Sequence, residues 1–234
     1  PQELDLTSFP CIEDLVKDVN LHGYYGGMRL LKATIKVFYS YCRECNIGLD
    51  RKNFTIRYHS TIPRHLGLAG SSAIITAGMK ALMSFYAISI PKPILANLVL
   101  SVETEELKIS AGLQDRVAQA YETPVFMDFD KTIMNKQGFG NYIPMDSALF
   151  PPMYIAYRTD QCSGSEIVHN DLRARYNYKE KAVLKTMKEW ADLAVKVKDS
   201  IESGDHAALP GYINRNFDLR RALLNISSEN IDMV

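Results

Sequence analysis

The chain has 234 residues, 47% hydrophobic and 23% charged, the balance of an ordinary globular protein with enough core for one large domain or two small ones. Its 27 Lys and Arg equal its 27 Asp and Glu, so no basic field calls for nucleic acid or an anionic membrane. No apolar run nears the roughly 18 residues of a spanning helix, and the first twenty residues hold five acidic groups and no secretory signal. Four cysteines make no disulfide framework, so a reducing cytosol is the expected setting.

A polar segment leads into Gly23-Tyr24-Tyr25-Gly26-Gly27, a flexible entry to a helix over roughly 28–45. There Leu31, Ile35, Phe38 and Cys42 recur at helical spacing. Alternating Phe54, Ile56 and Tyr58 predict a half-buried strand over Asn53–His59. Small residues from Gly67 to Ser72 open a helix reaching about Tyr86, and further helices are expected over roughly 94–108 and 114–121. Val125–Phe129 and Met153–Arg158 read as strands. Late in the chain, Val183, Met187, Trp190, Ala194, Val197 and Ile201 form a core-facing helical stripe that Gly204 closes. Asp205 is expected to cap a following helix that Pro210-Gly211 interrupts and that resumes over 214–224. Alternating strands and helices indicate an α/β (α+β) enzyme-like protein, and Pro151-Pro152 marks the expected boundary between domains 1–150 and 151–234.

Three constellations carry possible chemistry. In Pro63-Arg64-His65-Leu66-Gly67-Leu68-Ala69-Gly70-Ser71-Ser72-Ala73, small residues let backbone amides approach an anion at the positive end of the next helix. The two hydroxyls serve there either as helix caps or as ligands of phosphate and Mg²⁺. It is not a Walker loop, because no Gly-Lys-Ser/Thr follows. The acidic stretch Glu103-Thr104-Glu105-Glu106 and the later Asp115 supply carboxylates of the kind phosphoryl transfer needs, one for a metal and one for the attacking hydroxyl. They read equally as a solvated acidic face and a helix N-terminal charge. Asn216-Phe217-Asp218-Leu219-Arg220-Arg221 puts Asn216 and Arg220 at i, i+4, facing either solvent or an anionic substrate. Cys42-x-x-Cys45 lies at a helix end and reads as buried thiols, with zinc not expected.

Residues 63–73 resemble the phosphate loop P-x-x-x-G-L-x-S-S-A of the GHMP small-molecule kinases, with one residue more before the serines. Segments 23–31, 62–74, 111–119 and 216–221 extend the resemblance, in order, to members of that family acting on a sugar acid. The resemblance implies a fold of two domains: an N-terminal, ATP-binding one like the second domain of ribosomal protein S5, with a left-handed β-α-β crossover, and a ferredoxin-like C-terminal one. It implies ATP and Mg²⁺ as cofactors and transfer of phosphate to the anomeric hydroxyl of D-glucuronate. A non-catalytic nucleotide or sugar sensor of the same fold, and a kinase for another sugar, are the alternatives. By the same resemblance Asp115 is the catalytic carboxylate, and Ser72 and Glu103 hold the metal. Pro63, Gly67, Leu68, Ala69, Gly70, Ser71, Ser72 and Ala73 wrap the triphosphate, while Arg220, Asn216 and Arg116 are the expected sugar-acid contacts. The family's opening and closing motifs find no match here, so further segments are expected before Pro1 and after Val234.

Overall fold

The computed structural model describes residues 7–63, 66–157 and 165–224, the backbone alone over 165–170. Arg64 and His65 of the glycine loop, and Arg158 of the strand expected over Met153–Arg158, lie outside the described residues. Those residues form two compact units that divide between Pro144 and Met145, six residues before the boundary expected from the proline pair.

The first unit is a helical cluster with one small hairpin. Helix α1 (Ile12–His22) falls in the segment read as merely polar. Its few apolar residues are spaced for one face, and Leu15 and Val19 are buried. α2 (Arg29–Glu44) buries the expected Leu31, Ile35, Phe38 and Cys42. α3 (Gly70–Tyr86) packs on it through Ile75, Met79 and Leu82. α4 (Lys92–Ser101) runs on into a π-helical turn, Val102–Glu106, and α5 (Leu113–Tyr121) follows. Val99, Val102 and Val117 close the core with no exposed surface.

Gly78 stands where α3 meets α2: a Cβ there would come within 3.3 Å of the Leu31 and Thr34 side chains. Gly78→Val is therefore expected to cost about 1–3 kcal/mol by overpacking. Denaturant unfolding reads this directly, and an unchanged midpoint would mean that the helix contact is slack.

Strand β1 (Val125–Asp128) pairs antiparallel with β2 (Asn141–Pro144), Phe126 opposite Ile143. Between them lies α6 (Lys131–Gln137), whose N-terminus Asp130 caps by accepting from the amides of Thr132 and Ile133 at 2.8 and 3.1 Å. Those two amide bonds hold the Asp130 carboxyl below its ordinary range. Gly140 is required ahead of β2, since a Cβ would meet the Asp128 carbonyl oxygen at 2.4 Å.

Two expected strands are corrected. Over 53–59 the alternation appears as burial, with Phe54, Ile56 and Tyr58 half-buried and their neighbours exposed. Phe54 packs edge-on against Phe85 and Tyr86, but no ladder forms along this segment among the described residues. Residues 153–157 are exposed, also without a ladder there. A strand needs a partner for its amides, and alternation alone does not supply one.

The second unit holds α7 (Ser165–Asn177), α8 (Lys181–Ser203) and α9 (Leu209–Leu223). The buried line of α8 is Val183, Leu193, Ser200 and Ile201, with Trp190 and Val197 half-buried. Met187 and Ala194, expected on that stripe, are exposed. Arg175 ties the helices together, donating twice to Glu180 at 2.8 and 2.9 Å and once to the Leu223 carbonyl at 2.8 Å. Pro210 does not interrupt α9. It occupies the first turn, where its missing N–H is not needed. Asp205 makes no side-chain cap; its carbonyl instead accepts from the Ser200 hydroxyl. Helices and a hairpin together make the chain a mixed α/β protein, and no helix among the described residues is long and apolar enough to cross a membrane.

Candidate active site

The glycine loop enters α3 through two left-handed residues, Gly67 (φ 70°) and Ala69 (φ 53°). Ala69 is the residue preceding the helix, and no side chain caps it. The first helical hydrogen bond runs from the Ala73 amide to the Ala69 carbonyl at 3.1 Å, so the amides of Gly70, Ser71 and Ser72 have no acceptor within the helix. Serine capping, one of the two readings of the loop, is thereby set aside. The Ser72 hydroxyl is buried and donates backwards to the Ala69 carbonyl at 3.0 Å. The Ser71 hydroxyl donates to Glu103 Oε1 at 2.7 Å.

Glu103 sits on the π-helical turn, a wider coil that re-aims side chains relative to an α-helix. It is 1% exposed, so it is no solvated face. Its neighbour Glu106 is half-buried and accepts from both Tyr24 Oη and Lys36 Nζ at 2.7 Å, while Glu105 is exposed. Burial and the Glu106 carboxylate together push the Tyr24 phenol well above its usual range. The Gly-Tyr-Tyr-Gly-Gly segment is thus pinned to the acidic turn.

Asp115 lies in the first turn of α5, after the extended Gly112. Between it and Glu103 stands Arg116, 6% exposed. Arg116 Nε donates to Glu103 Oε2 at 2.8 Å, and Nη2 reaches the same oxygen. Its Nη1 donates to Asp115 Oδ2 and to the Gly112 carbonyl, both at 3.0 Å. Arg116, expected as a sugar contact, is bonded through all three nitrogens to its own chain. Gln119, one turn on from Asp115, donates to the Ala69 carbonyl at 3.2 Å and accepts from Thr76 Oγ1 at 3.2 Å, tying α5 to the loop.

Loop, Glu103, Arg116 and Asp115 therefore converge within the first unit. Asn216 and Arg220 lie exposed on α9 of the second unit, and Arg221 pairs with Asp218 at 3.1 Å. Cys42 is buried at the end of α2, and burial pushes its thiol up to about 11; Cys45 is exposed and both are free. Sequence reasoning missed the bridging by Arg116, the tie through Gln119 and the Tyr24–Glu106–Lys36 cluster. The i, i+4 spacing of Asp115 and Gln119 was the available signal.

A buried carboxylate and two serine hydroxyls beside an uncapped helix N-terminus suit an anion carrying a hard cation. Among the described residues no three His, Cys, Asp or Glu side chains converge, so such a cation would draw on the anion's own oxygens beside Glu103 and the serines. Mg²⁺ fits this donor set, since it keeps several waters and phosphate oxygens in its shell.

Residues 29–123 match the family described as GHMP kinases N terminal domain, and that stretch contains the loop, Glu103, Asp115 and Arg116. Over 98% of its length the chain is 42% identical to glucuronokinase 1 of Arabidopsis thaliana and 43% identical to probable glucuronokinase 2 of the same plant. It spans 64% of the length of each. A more distant relative, 22% identical over 75% of the chain and 51% of its own length, is the D-glycero-alpha-D-manno-heptose 7-phosphate kinase of Campylobacter jejuni. No solved structure matches the chain.

Proposed function

We propose that this chain is the core of an ATP-dependent sugar kinase that phosphorylates the anomeric hydroxyl of D-glucuronate to glucuronate 1-phosphate. The observation that carries this reading is the convergence of Ser71, Glu103, Arg116 and Asp115 at the open N-terminus of α3. Similarity to two glucuronokinases over nearly the whole chain supports the choice of acceptor.

In this reading the amides of Gly70, Ser71 and Ser72, with Pro63, Gly67, Leu68, Ala69 and Ala73, cradle the triphosphate. Glu103 and the serine hydroxyls hold Mg²⁺, which neutralises charge on the β- and γ-phosphates when bound. The Ser71 hydroxyl bonds Glu103 directly, so we assign it to that shell together with Ser72. Asp115 orients the sugar hydroxyl and takes its proton as the oxygen attacks the γ-phosphorus. The bond from that phosphorus to the β-bridging oxygen breaks, and ADP leaves. We also assign the units, nominally 1–150 and 151–234, to the ribosomal-protein-S5-like and ferredoxin-like domains of the family, and the chain, with its free thiols, to the cytosol.

Selectivity for a uronic acid requires positive charge or several donors at the sugar's C6 carboxylate, and an arginine fork meets it with two charge-assisted bonds. With Arg116 bonded internally, Arg220 and its i, i+4 neighbour Asn216 are the assigned contacts. Arg220→Ala is expected to cost about 1.5–3 kcal/mol of discrimination between glucuronate and glucose. Arg221→Ala costs less, being about 100° around the helix and paired with Asp218. Comparing kcat/KM for both sugars checks this, and an unchanged ratio in Arg220→Ala removes the assignment. The reading as a whole is tested by ADP release with a panel of sugars: turnover fastest with glucuronate supports it. Nucleotide binding without turnover on any sugar would make the chain a sensor instead.

A further inference from the structure

We infer that Arg116 is a positioning residue that sets two carboxylates with one guanidinium, fixing Glu103 toward the nucleotide and Asp115 toward the sugar. This rests on the kinase reading above and deepens it. One edge of the guanidinium, Nε and Nη2, takes Glu103 Oε2, so that Oε1 is the oxygen that meets Ser71 at the loop. Nη1 takes Asp115 Oδ2 and, with the Gly112 carbonyl, anchors itself to the backbone at the start of α5. In Glu103 one oxygen is held and the other meets Ser71; in Asp115 one oxygen is held, leaving the other for the acceptor.

The planar fork of arginine is what makes this possible, because its donors point in fixed and different directions. Charge adds to geometry. Two carboxylates so close repel each other, and one buried cation between them leaves the cluster a single net negative charge. Asp115, 40% exposed in its side chain, has little other packing to fix its rotamer, whereas Glu103, at 1%, is held on every side. The tether therefore matters most for Asp115.

Lysine keeps the charge but offers one compact ammonium that cannot span both partners. In Arg116→Lys the ammonium stays with the fully buried Glu103 and releases Asp115. The full chain of the variant is expected to melt close to the parent and to bind Mg²⁺–ATP, by calorimetry, within about threefold of it. Its kcat should fall about a hundredfold, the scale of a small misplacement of a reacting group. Combined with Asp115→Asn, the lysine variant should lose little beyond Asp115→Asn alone, since both act through one carboxylate. Arg116→Gln, which also frees Glu103, should weaken Mg²⁺–ATP binding about tenfold or more, or fail to fold where its glutamate is left uncompensated. A parental kcat in Arg116→Lys, or losses that multiply fully in the double variant, overturns the inference while leaving an active parent as a kinase. A parent that binds Mg²⁺–ATP but phosphorylates no sugar overturns both.

Discussion

Replacing Asp115 by asparagine is expected to lower kcat by about two to four orders of magnitude, the usual worth of a positioned general base. The fold should survive, because Asp115 is partly exposed and asparagine keeps an oxygen for the 3.0 Å bond from Arg116. Nucleotide affinity should also survive, because the amides proposed to hold the triphosphate lie on α3 and not on α5. The combination of lost turnover with retained melting temperature and retained Mg²⁺–ATP binding marks a group that acts on the acceptor. Near-parental turnover would take Asp115 out of the chemistry and leave it a helix N-terminal charge.

Glu103→Gln is expected to do more damage, and in two separable ways. The Arg116 guanidinium, 7% exposed in its side chain, loses its buried partner and keeps only the Asp115 carboxylate, 40% exposed. Removing one partner of a buried pair costs about 3–5 kcal/mol, enough to unfold a domain of ordinary stability. In Glu103→Gln/Arg116→Gln no buried charge is left unpaired, so much of that stability should return. Mg²⁺-dependent nucleotide binding should not return with it, because the carboxylate is gone. Thermal melts beside calorimetric titrations of ATP with and without Mg²⁺ distinguish the two effects. Full recovery of Mg²⁺–ATP binding in the double variant would make Glu103 a structural partner of Arg116 and nothing more.

Much of the helical framework was legible in the sequence, because α2, α3 and α5 carry apolar stripes or small-residue starts that speak through local spacing alone. Three helices were not expected, α1, α6 and α7, and the first two fail that test for different reasons. α1 hides five apolar residues among charges, and α6 buries none of its residues and relies on its Asp130 cap. Strands were the weaker part. A strand over Val125–Phe129 was expected and forms over Val125–Asp128, but β2 was not expected, since a glycine before it and a proline at its end disguise Asn141–Pro144 as a turn. Residues 53–59 show the converse, an alternation that is real as burial and yet forms no ladder among the described residues.

The site was legible by type and not by pairing. Ser71, Ser72, Glu103 and Asp115 were all singled out, yet nothing in their spacing indicates that Glu103 meets Ser71 or that Ser72 turns back to Ala69. Those choices depend on the π-helical turn, which re-aims Glu103, and on the left-handed Ala69, which aims its carbonyl at the next turn. Arg116 stood beside the aspartate as a free cation in sequence. Only the packing of α5 against the acidic turn makes it a bridge.

The central claim is phosphoryl transfer to the anomeric oxygen of glucuronate, and identification of the product tests it most directly. With ATP, Mg²⁺ and glucuronate carrying ¹³C at C1, the carbon resonance is expected to split by coupling to phosphorus as ADP accumulates. Glucose should give little or no such product. ADP formed without a labelled sugar phosphate, or phosphate found on another hydroxyl, would contradict the assignment.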